Sequence, residues 1–82
     1  MKLAVGNLST YAHENDVKTL FSAFGNVVSV VIAYDSFSHR SRGIAEVDME
    51  IESAALDAMQ KLHNTVFMHK SLVIRIVRAP SR

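Results

Sequence analysis

Cysteine and tryptophan are absent from this sequence of 82 residues, which has one proline and three glycines. Without cysteine the chain forms no disulfide and no thiolate metal site. The lack of cysteine is compatible with a reducing compartment but does not demonstrate one. Hydrophobic residues make up 49% of the chain, enough to build the core of one small globular domain without such cross-links.

Long hydrophobic runs are also absent. The apolar start at residues 3–5 is interrupted at residues 6–7 and again at 9–10, well short of the apolar region of a signal peptide. No run approaches the roughly 20 apolar residues of a membrane-spanning helix. We therefore expect a soluble protein that does not engage a membrane. We expect it in the cytoplasm, with a nuclear location left open.

The charged residues are distributed unevenly, although the net charge is only +1. Residues 44–60 contain five acids and no lysine or arginine, whereas residues 69–82 contain four bases and no acid. This asymmetry has two interpretations, a molecule with one basic edge or an ordinary solvated surface.

Hydrophobic periodicity predicts six elements. Alternating or β-branched runs predict strands at residues 3–8, 27–34, 42–49 and 72–77. Apolar residues three and four apart predict helices at residues 14–24 and 50–62. The helical stripes are Val17, Leu20, Phe21 and Phe24 in the first helix, then Ile51, Ala55, Ala58, Met59 and Leu62 in the second. The order predicts an α+β, ferredoxin-like β-α-β-β-α-β fold, with a four-stranded antiparallel sheet and two helices on one face.

The strand at residues 42–49 shows most clearly how the two sheet faces differ. Its odd positions from Ala45 to Met49 are all apolar, so they are predicted to face the core. Its even positions include Ile44, Glu46 and Asp48, so they are predicted to face outward. The function of the chain therefore depends on what this outward face binds.

Two strands resemble signature segments of the RNA recognition motif family. Residues 3–8 resemble the hexapeptide of that family's first strand. Residues 42–49 resemble its octapeptide, which reads basic, glycine, aromatic, small, aromatic, aliphatic, any and aromatic. The octapeptide matches are Arg42, Gly43, Ala45 and Val47. The resemblance covers about residues 2–79 and implies one RNA-binding domain at residues 1–79, followed by a tail at residues 80–82.

The sequence departs from the family where the family contacts RNA. Its members stack bases on aromatic rings of the open sheet face. The corresponding positions here are Ala4, Ile44 and Glu46, and the inward aromatic position is Met49. A base–aromatic stack contributes roughly 1–3 kcal/mol, so losing two or three removes several kcal/mol of binding free energy. We therefore expect weak, largely electrostatic binding of single-stranded RNA.

The predicted nucleic-acid-binding residues combine basic positions at the rim with the family's contact positions on the sheet. They are Lys2, Ala4, Asn7, Arg40, Arg42, Ile44, Glu46, Arg75 and Arg78. The basic residues would contact phosphates and make binding salt-dependent, and Asn7 would position the loop after the first strand. Glu46 has two interpretations, an ion pair with Lys2 or Arg75, or an acceptor for base amino groups.

Aromatic residues near the basic hairpin loop offer a separate stacking possibility. Phe37 is the better candidate because its surroundings are polar, whereas Tyr34 is expected to pack at a sheet edge. Tyr11, in the loop before the first helix, is expected to be a structural lid.

A protein-interaction or dimerisation domain is the alternative function. It would use an apolar sheet face formed by Val31, Ile44, Val73 and Val77, since a contiguous exposed patch favours a protein partner. The strand at residues 27–34 carries no charge and no proline, yet it is predicted at a sheet edge, where it could pair with a second copy.

Catalysis and cofactor binding are not expected. The four histidines share no ligand spacing, and no cysteine completes a metal site. Residues 7–10 do not form a glycine-rich phosphate loop, and nothing in the spacing of Ser, His and Asp indicates a catalytic triad. We expect no metal, no cofactor and no small-molecule substrate.

Overall fold

The computed structural model describes residues 1–77. The segments along which apolar side chains alternate form the strands of its sheet. The elements follow the predicted order, with one small hairpin added before the last strand. They are β1 (Lys2–Gly6), α1 (Glu14–Ser22), β2 (Val27–Tyr34), β3 (Ser41–Met49), α2 (Glu52–Leu62), β4 (Val66–Phe67), β5 (Lys70–Ser71) and β6 (Val73–Val77). The predicted ferredoxin-like fold is confirmed.

The four long strands form one antiparallel sheet in the order β2-β3-β1-β6. β1 and β3 are therefore the central strands, and β2 and β6 are the edges. The register places Ala4 of β1 directly between Glu46 of β3 and Arg75 of β6. This pairing decides which side chains are neighbours on the outward face.

The core lies between the inward face of the sheet and the two helices. Val17 and Phe21 are the buried residues of α1, and Ala55, Ala58 and Leu62 are those of α2. The sheet contributes fully buried side chains from its central strands: Leu3, Val5, Ala45, Val47 and Met49. Because fully burying a large apolar side chain stabilises by about 1.5–3 kcal/mol, this shared core supplies most of the stability of the fold. The predicted inward set of the strand at 42–49 is confirmed.

Both helices are shorter than predicted. Ile51 was expected in the buried stripe of the second helix but is exposed, because it is the extended N-cap residue and lies outside the helical period. The first helix ends at Ser22 because the N–H of Phe24 donates to the carbonyl of Phe21 (3.0 Å), which closes a tighter turn. At its start, the Asp16 carboxylate accepts a hydrogen bond from the His13 backbone N–H (2.9 Å).

The last strand begins at Val73 and not at Leu72. The Leu72 N–H donates to the Thr65 carbonyl (2.9 Å), and its own carbonyl accepts from the Asn64 N–H (2.8 Å). Leu72 therefore pairs with the segment after α2 and not with β1. The sequence pattern did not predict the small β4–β5 hairpin that follows from this pairing. Its turn residues Met68 and His69 both have positive φ (52° and 70°).

A bulge at the start of β3 brings this strand against the end of β1. The pairing advances by two positions on β2, from Ile32 to Tyr34, while it goes back by four on β3, from Ala45 to Ser41. Gly43 lies in this bulge with φ +73°, and a Cβ there would be 2.8 Å from the carbonyl oxygen of Leu8. Only glycine fits this position without strain, which accounts for its place in the octapeptide.

Neither helix described within residues 1–77 has the length and apolar character that a membrane span needs.

Candidate nucleic-acid interface

The middle of the outward sheet face is one row of four side chains, one from each strand. In the order of the strands they are Val31, Glu46, Ala4 and Arg75. Ala4 is the smallest of them and lies between opposite charges. Gly6, the next outward residue of β1, lies opposite Val73 on β6. At these two positions the central strand β1 therefore presents no large side chain.

The three predicted stacking positions all lie on this face. Ile44 is 48% exposed, Glu46 is exposed, and Ala4 is half-buried between its neighbours. None of the outward residues of β1, β3 and β6 is aromatic. The face offers aliphatic and charged contacts but no flat ring on which a base would stack.

Glu46 is near Lys2, the basic residue one row away on β1. The Lys2 Nζ lies 4.0 Å from a Glu46 carboxylate oxygen, and both side chains are about half exposed. A pair of this kind contributes less than about 1 kcal/mol in water. Of the two ion-pair partners predicted for Glu46, the structure shows Lys2. Because this exposed pair is weak, the Lys2 ammonium can still attract a phosphate.

Three arginines surround the face and are exposed. Arg40 lies in the β2–β3 loop, Arg42 lies at the start of β3, and Arg75 lies in the middle of β6. Within residues 1–77 none of them forms an ion pair. Their charges therefore remain available to an anionic ligand. Arg78, the fourth predicted arginine, lies outside the described residues.

Asn7 has a structural contact. Its backbone is left-handed (φ 58°), and its side-chain Nδ2 donates to the carbonyl of Ser71 (2.7 Å). The contact joins the end of β1 to β5. This geometry agrees with a positioning role for Asn7, and it occupies one of the amide hydrogens that would otherwise reach a ligand.

The predicted apolar patch is divided. Val31, Ala33 and Ile44 line a shallow depression of about 280 Å³ on the β2–β3 side of the face. Val73 and Val77 lie on β6, on the other side of β1, opposite Gly6 and Lys2 respectively. The structure therefore brings together only the β2–β3 half of the four-residue patch that alternation suggested.

The loop between β2 and β3 is folded by its first residue. The carboxylate of Asp35 accepts hydrogen bonds from the backbone N–H groups of Phe37 (2.8 Å) and Ser38 (3.0 Å). These bonds, that of Ser38 above all, and the charge of Arg42 lower the pKa of Asp35. The Asp35 backbone also pairs with Arg40 (2.8 Å). Phe37 projects from this loop and is 96% exposed.

A second concave site lies beyond the sheet face, at the end where β1 and β2 finish. This end cavity has a volume of about 390 Å³ and is lined by residues 10–13, Tyr34 and residues 39–41. It contains both tyrosines of the chain, Tyr11 and Tyr34. Its walls come from three separate elements, which is why the sequence pattern did not reveal it.

Tyr34 does not simply pack at the edge as predicted. It is 47% exposed, and its hydroxyl donates to the Glu14 carboxylate at the start of α1, 3.3 Å from each oxygen. Partial desolvation, followed by the charge of Glu14 and this hydrogen bond, raises the pKa of Tyr34. Tyr11 is 79% exposed and therefore does not cover the core as a lid.

No group of three His, Asp or Glu side chains within residues 1–77 is placed to hold a metal ion. His63 has an internal role instead, since its Nδ1 accepts a hydrogen bond from the Ile74 backbone N–H (3.0 Å). The sheet face and the end cavity are therefore the two sites to consider for a ligand.

The model of the RNA recognition motif family matches residues 3–73. The chain belongs to the RNA recognition motif (RRM) family. That family consists of RNA-binding domains, and the sheet face described above is the surface on which its members stack bases. The residues predicted at the stacking positions, Ala4, Ile44 and Glu46, all lie on this face and none is aromatic.

Similar proteins and structures agree with this assignment. The putative RNA-binding protein RbpD of Nostoc sp. is 35% identical over 82 residues, covering 100% of this chain and 85% of that protein. Multiple RNA-binding domain-containing protein 1 of Neurospora crassa is 36% identical over 78 residues, covering 95% of this chain but 9% of that protein. The crystal structure of RNA Binding Protein PG1 superposes with a TM-score of 0.91 at 32% identity over 99% of both chains.

Several relatives are much longer than this RRM domain. The chain spans between 9% and 26% of the first five curated relatives that it matches. Likeness to them therefore concerns one domain and not the activity of the whole protein.

Proposed function

We propose that this RRM domain binds single-stranded RNA weakly, through its basic residues and without base stacking on the sheet. The observation that carries the proposal is the outward face itself. It belongs to an RNA-binding fold and has arginines without ion pairs among residues 1–77, but it has no aromatic ring. The domain is proposed to span residues 1–79 and to act without catalysis or a cofactor. Its location in the cytoplasm stays a prediction.

The arrangement of the cations supports a path for the phosphate backbone. Arg42 and Arg75 lie on opposite sides of the small residues of β1, and Lys2 lies at one end of that strand. An RNA strand lying on the face would therefore have positive charges on both sides for its phosphates. Arg40, and Arg78 beyond the described residues, are proposed to extend this path at the rims.

Glu46 accounts for part of the weakness. Its carboxylate lies in the middle row, where family members present a ring, and it would repel a nearby phosphate. The same carboxylate can accept a hydrogen bond from a base amino group such as N4 of cytosine. We propose that it selects against close backbone contact at the centre, so that phosphates stay near the rim.

Amide chemical-shift titration with short single-stranded RNA pools, at low and moderate salt, tests this proposal. We expect shifts at Lys2, Arg42 and Ile44 that fade as salt rises. With up to five cations engaged, the logarithm of affinity should fall with the logarithm of salt concentration with a slope of up to roughly −3.5. The absence of any shift at millimolar RNA would overturn RNA binding.

A charge-matched pair of variants locates the contact. Arg75→Ala removes a cation from the sheet face, so it should weaken binding and reduce the salt slope by about 0.7. Lys61→Ala removes the same charge from α2, where Lys61 pairs with Asp57 (3.4 Å). Equal losses in both variants would mean attraction to net charge and not to the face.

The depression lined by Val31, Ala33 and Ile44 favours a second candidate function, a protein-interaction or dimerisation surface. Both Val31 and Ile44 expose apolar area there, and the neighbouring edge of β2 is open. Light scattering over a range of concentrations tests the dimer. A strictly monomeric mass at high concentration, together with RNA-induced shifts on the face, would reject self-association through this surface.

A further inference from the structure

Among residues 1–77, two of the three exposed aromatic side chains line the end cavity, and the third, Phe37, projects from the neighbouring loop. Phe21 is buried, and Phe24 and Phe67 pack against the core. The two tyrosines are both exposed and both line this one cavity. Exposed rings from two separate elements that meet around one concavity are placed for a flat ligand.

The backbone around Tyr11 holds its ring outward. The Tyr11 N–H donates to the Ser9 hydroxyl (3.1 Å), and the Ala12 N–H donates to the Ser9 carbonyl (3.0 Å). Ser9 and Ala12 are themselves buried. Because Ser9 and Ala12 anchor this turn in the interior, the backbone of Tyr11 is held at the surface.

Tyr34 is fixed at the other side of the cavity. Its hydroxyl is bound by the Glu14 carboxylate, while part of its side chain remains accessible. The hydrogen bond between the strand and the helix reduces the freedom of the ring before any ligand arrives. Less conformational entropy is then lost on binding.

The cavity offers one cation to a phosphate, Arg40, and none of its lining residues is acidic. The Glu14 carboxylate lies at the Tyr34 hydroxyl, so it favours a phosphate placed at Arg40 and away from that hydroxyl. Its volume, about 390 Å³, lies within the usual range for a small-molecule or nucleotide-sized site. The positive φ of His39 (63°) and the backbone pairing of Arg40 with Asp35 fix this wall of the cavity.

We propose that the end cavity binds one unpaired base of single-stranded RNA, stacked against the tyrosine rings, with a phosphate at Arg40. This inference rests on the proposed RNA-binding function and adds a base site outside the sheet face. Arg42 connects the two sites, since it lies at the start of β3, two residues after Arg40. An RNA strand held at Arg42 then continues from the sheet into the cavity.

Intrinsic fluorescence tests the site directly. The chain has no tryptophan, so its protein emission comes from Tyr11 and Tyr34 and reports on the cavity. The full chain is titrated with a random-sequence RNA hexamer, with N-acetyltyrosinamide as the control for light absorbed by RNA. We expect saturable quenching with the same midpoint as the amide shifts at Arg42 and Arg75.

Three aromatic variants provide the matched comparison. Tyr11→Ala and Tyr34→Ala should each weaken RNA binding roughly 5- to 100-fold, the range for loss of one base–aromatic stack. Phe37→Ala removes a still more exposed ring (96%), the stacking candidate of the neighbouring loop. Because Phe37 does not line the cavity, we expect the affinity of this variant to be unchanged. Tyr34→Phe keeps the ring and should retain binding, which separates stacking from the Glu14 hydrogen bond. Unchanged amide spectra of the core establish that each variant is folded.

The outcomes separate the two proposals. Sheet-face shifts with unquenched tyrosines, and affinity unchanged in Tyr11→Ala and Tyr34→Ala, would overturn the cavity site and leave RNA binding intact. Loss of affinity in Phe37→Ala equal to that in Tyr11→Ala would also overturn it, because stacking would then lie at the loop tip. No shift and no quenching with RNA would overturn both.

Discussion

The two faces of β3 differ in how strictly the fold constrains them. The inward residues Ala45, Val47 and Met49 are fully buried and touch one continuous core. The outward residues Ile44 and Glu46 are exposed, and Glu46 forms an ion pair of 4.0 Å with Lys2. Packing therefore constrains which side chains the inward positions can hold. The outward positions are free of that constraint, so what they bind has more influence on their identity.

This difference explains why family membership and binding strength can be separated in one strand. A close-packed interior tolerates few changes of volume, so the inward positions stay apolar, including Met49 where the family has an aromatic. The outward positions have no such requirement, so aromatic rings can be exchanged for Ile44 and Glu46 without loss of the fold. Variants that act on only one face of β3 measure how complete this separation is.

The largest effect is expected from the inward face. Met49→Ala should lower the free energy of unfolding by about 2–5 kcal/mol, because it leaves a cavity in the core. Ile44→Ala, its partner on the outward face, should cost about 1 kcal/mol, since Ile44 is 48% exposed. Urea denaturation followed by circular dichroism compares them. Equal losses of unfolding free energy in the two variants would show that the outward face is packed as tightly as the inward face.

The next largest effect is expected from the glycines, one in the tight bulge of β3 and one on the open face of β1. Gly43→Ala places a Cβ 2.8 Å from the Leu8 carbonyl oxygen at φ +73°, so we expect a loss of about 1–3 kcal/mol. In Gly6→Ala, on the outward face of β1, the nearest atom to the new Cβ is the Val73 carbonyl oxygen, at 3.7 Å. That variant should change stability little. A Gly43→Ala protein as stable as Gly6→Ala would mean that the bulge relaxes freely.

The inward side of the molecule was largely predictable from sequence. Alternation in residues 42–49 and the helical spacing of Val17 and Phe21 depend only on local periodicity and burial, and both predictions are confirmed. Helix ends were less predictable. Ile51 has the right spacing for the second stripe, but a side chain at the N-cap follows the extended chain and not the helix.

Features that depend on unusual backbone or on distant segments were not predictable. The β4–β5 turn uses Met68 and His69 at positive φ, where asparagine and glycine are the usual signals. The end cavity forms only when the loop before α1 meets the end of β2. The one signal for this cavity in the sequence was a pair of tyrosines, Tyr11 in a loop and Tyr34 at the end of β2. The alternation of apolar residues does not predict whether two such rings lie close together in the fold.

An aromatic ring introduced on the outward face should change RNA affinity and leave stability nearly unchanged. Ile44→Phe introduces an aromatic at a position where the family stacks a base, so RNA should bind roughly 5- to 100-fold more tightly. Stability should change little, because the position is half exposed. Fluorescence anisotropy with labelled RNA measures affinity. The control is Val31→Phe, which adds a ring on the same face at a position outside the signature segments. Equal gains in both variants would indicate general apolar attraction.

The smallest effect concerns Asp35, which holds the loop beside both candidate sites. Hydrogen bonds from the Ser38 and Phe37 N–H groups lower its pKa below the ordinary value of 3.8. A lowered folded-state pKa means that this stabilising contribution is complete above the unfolded-state value, about 3.9. It is lost as the pH falls from there through the lowered folded-state pKa. The loop should therefore remain folded at neutral pH and loosen only in acid.

Amide shifts of Phe37 and Ser38 followed from pH 7 to pH 2 measure this transition. Their midpoint should lie below 3.8 in the native chain. Asp35→Asn keeps an acceptor oxygen for the same N–H groups but cannot titrate, so its two amides should show no such transition. A midpoint at or above the ordinary aspartate value would show that the carboxylate does not hold the loop.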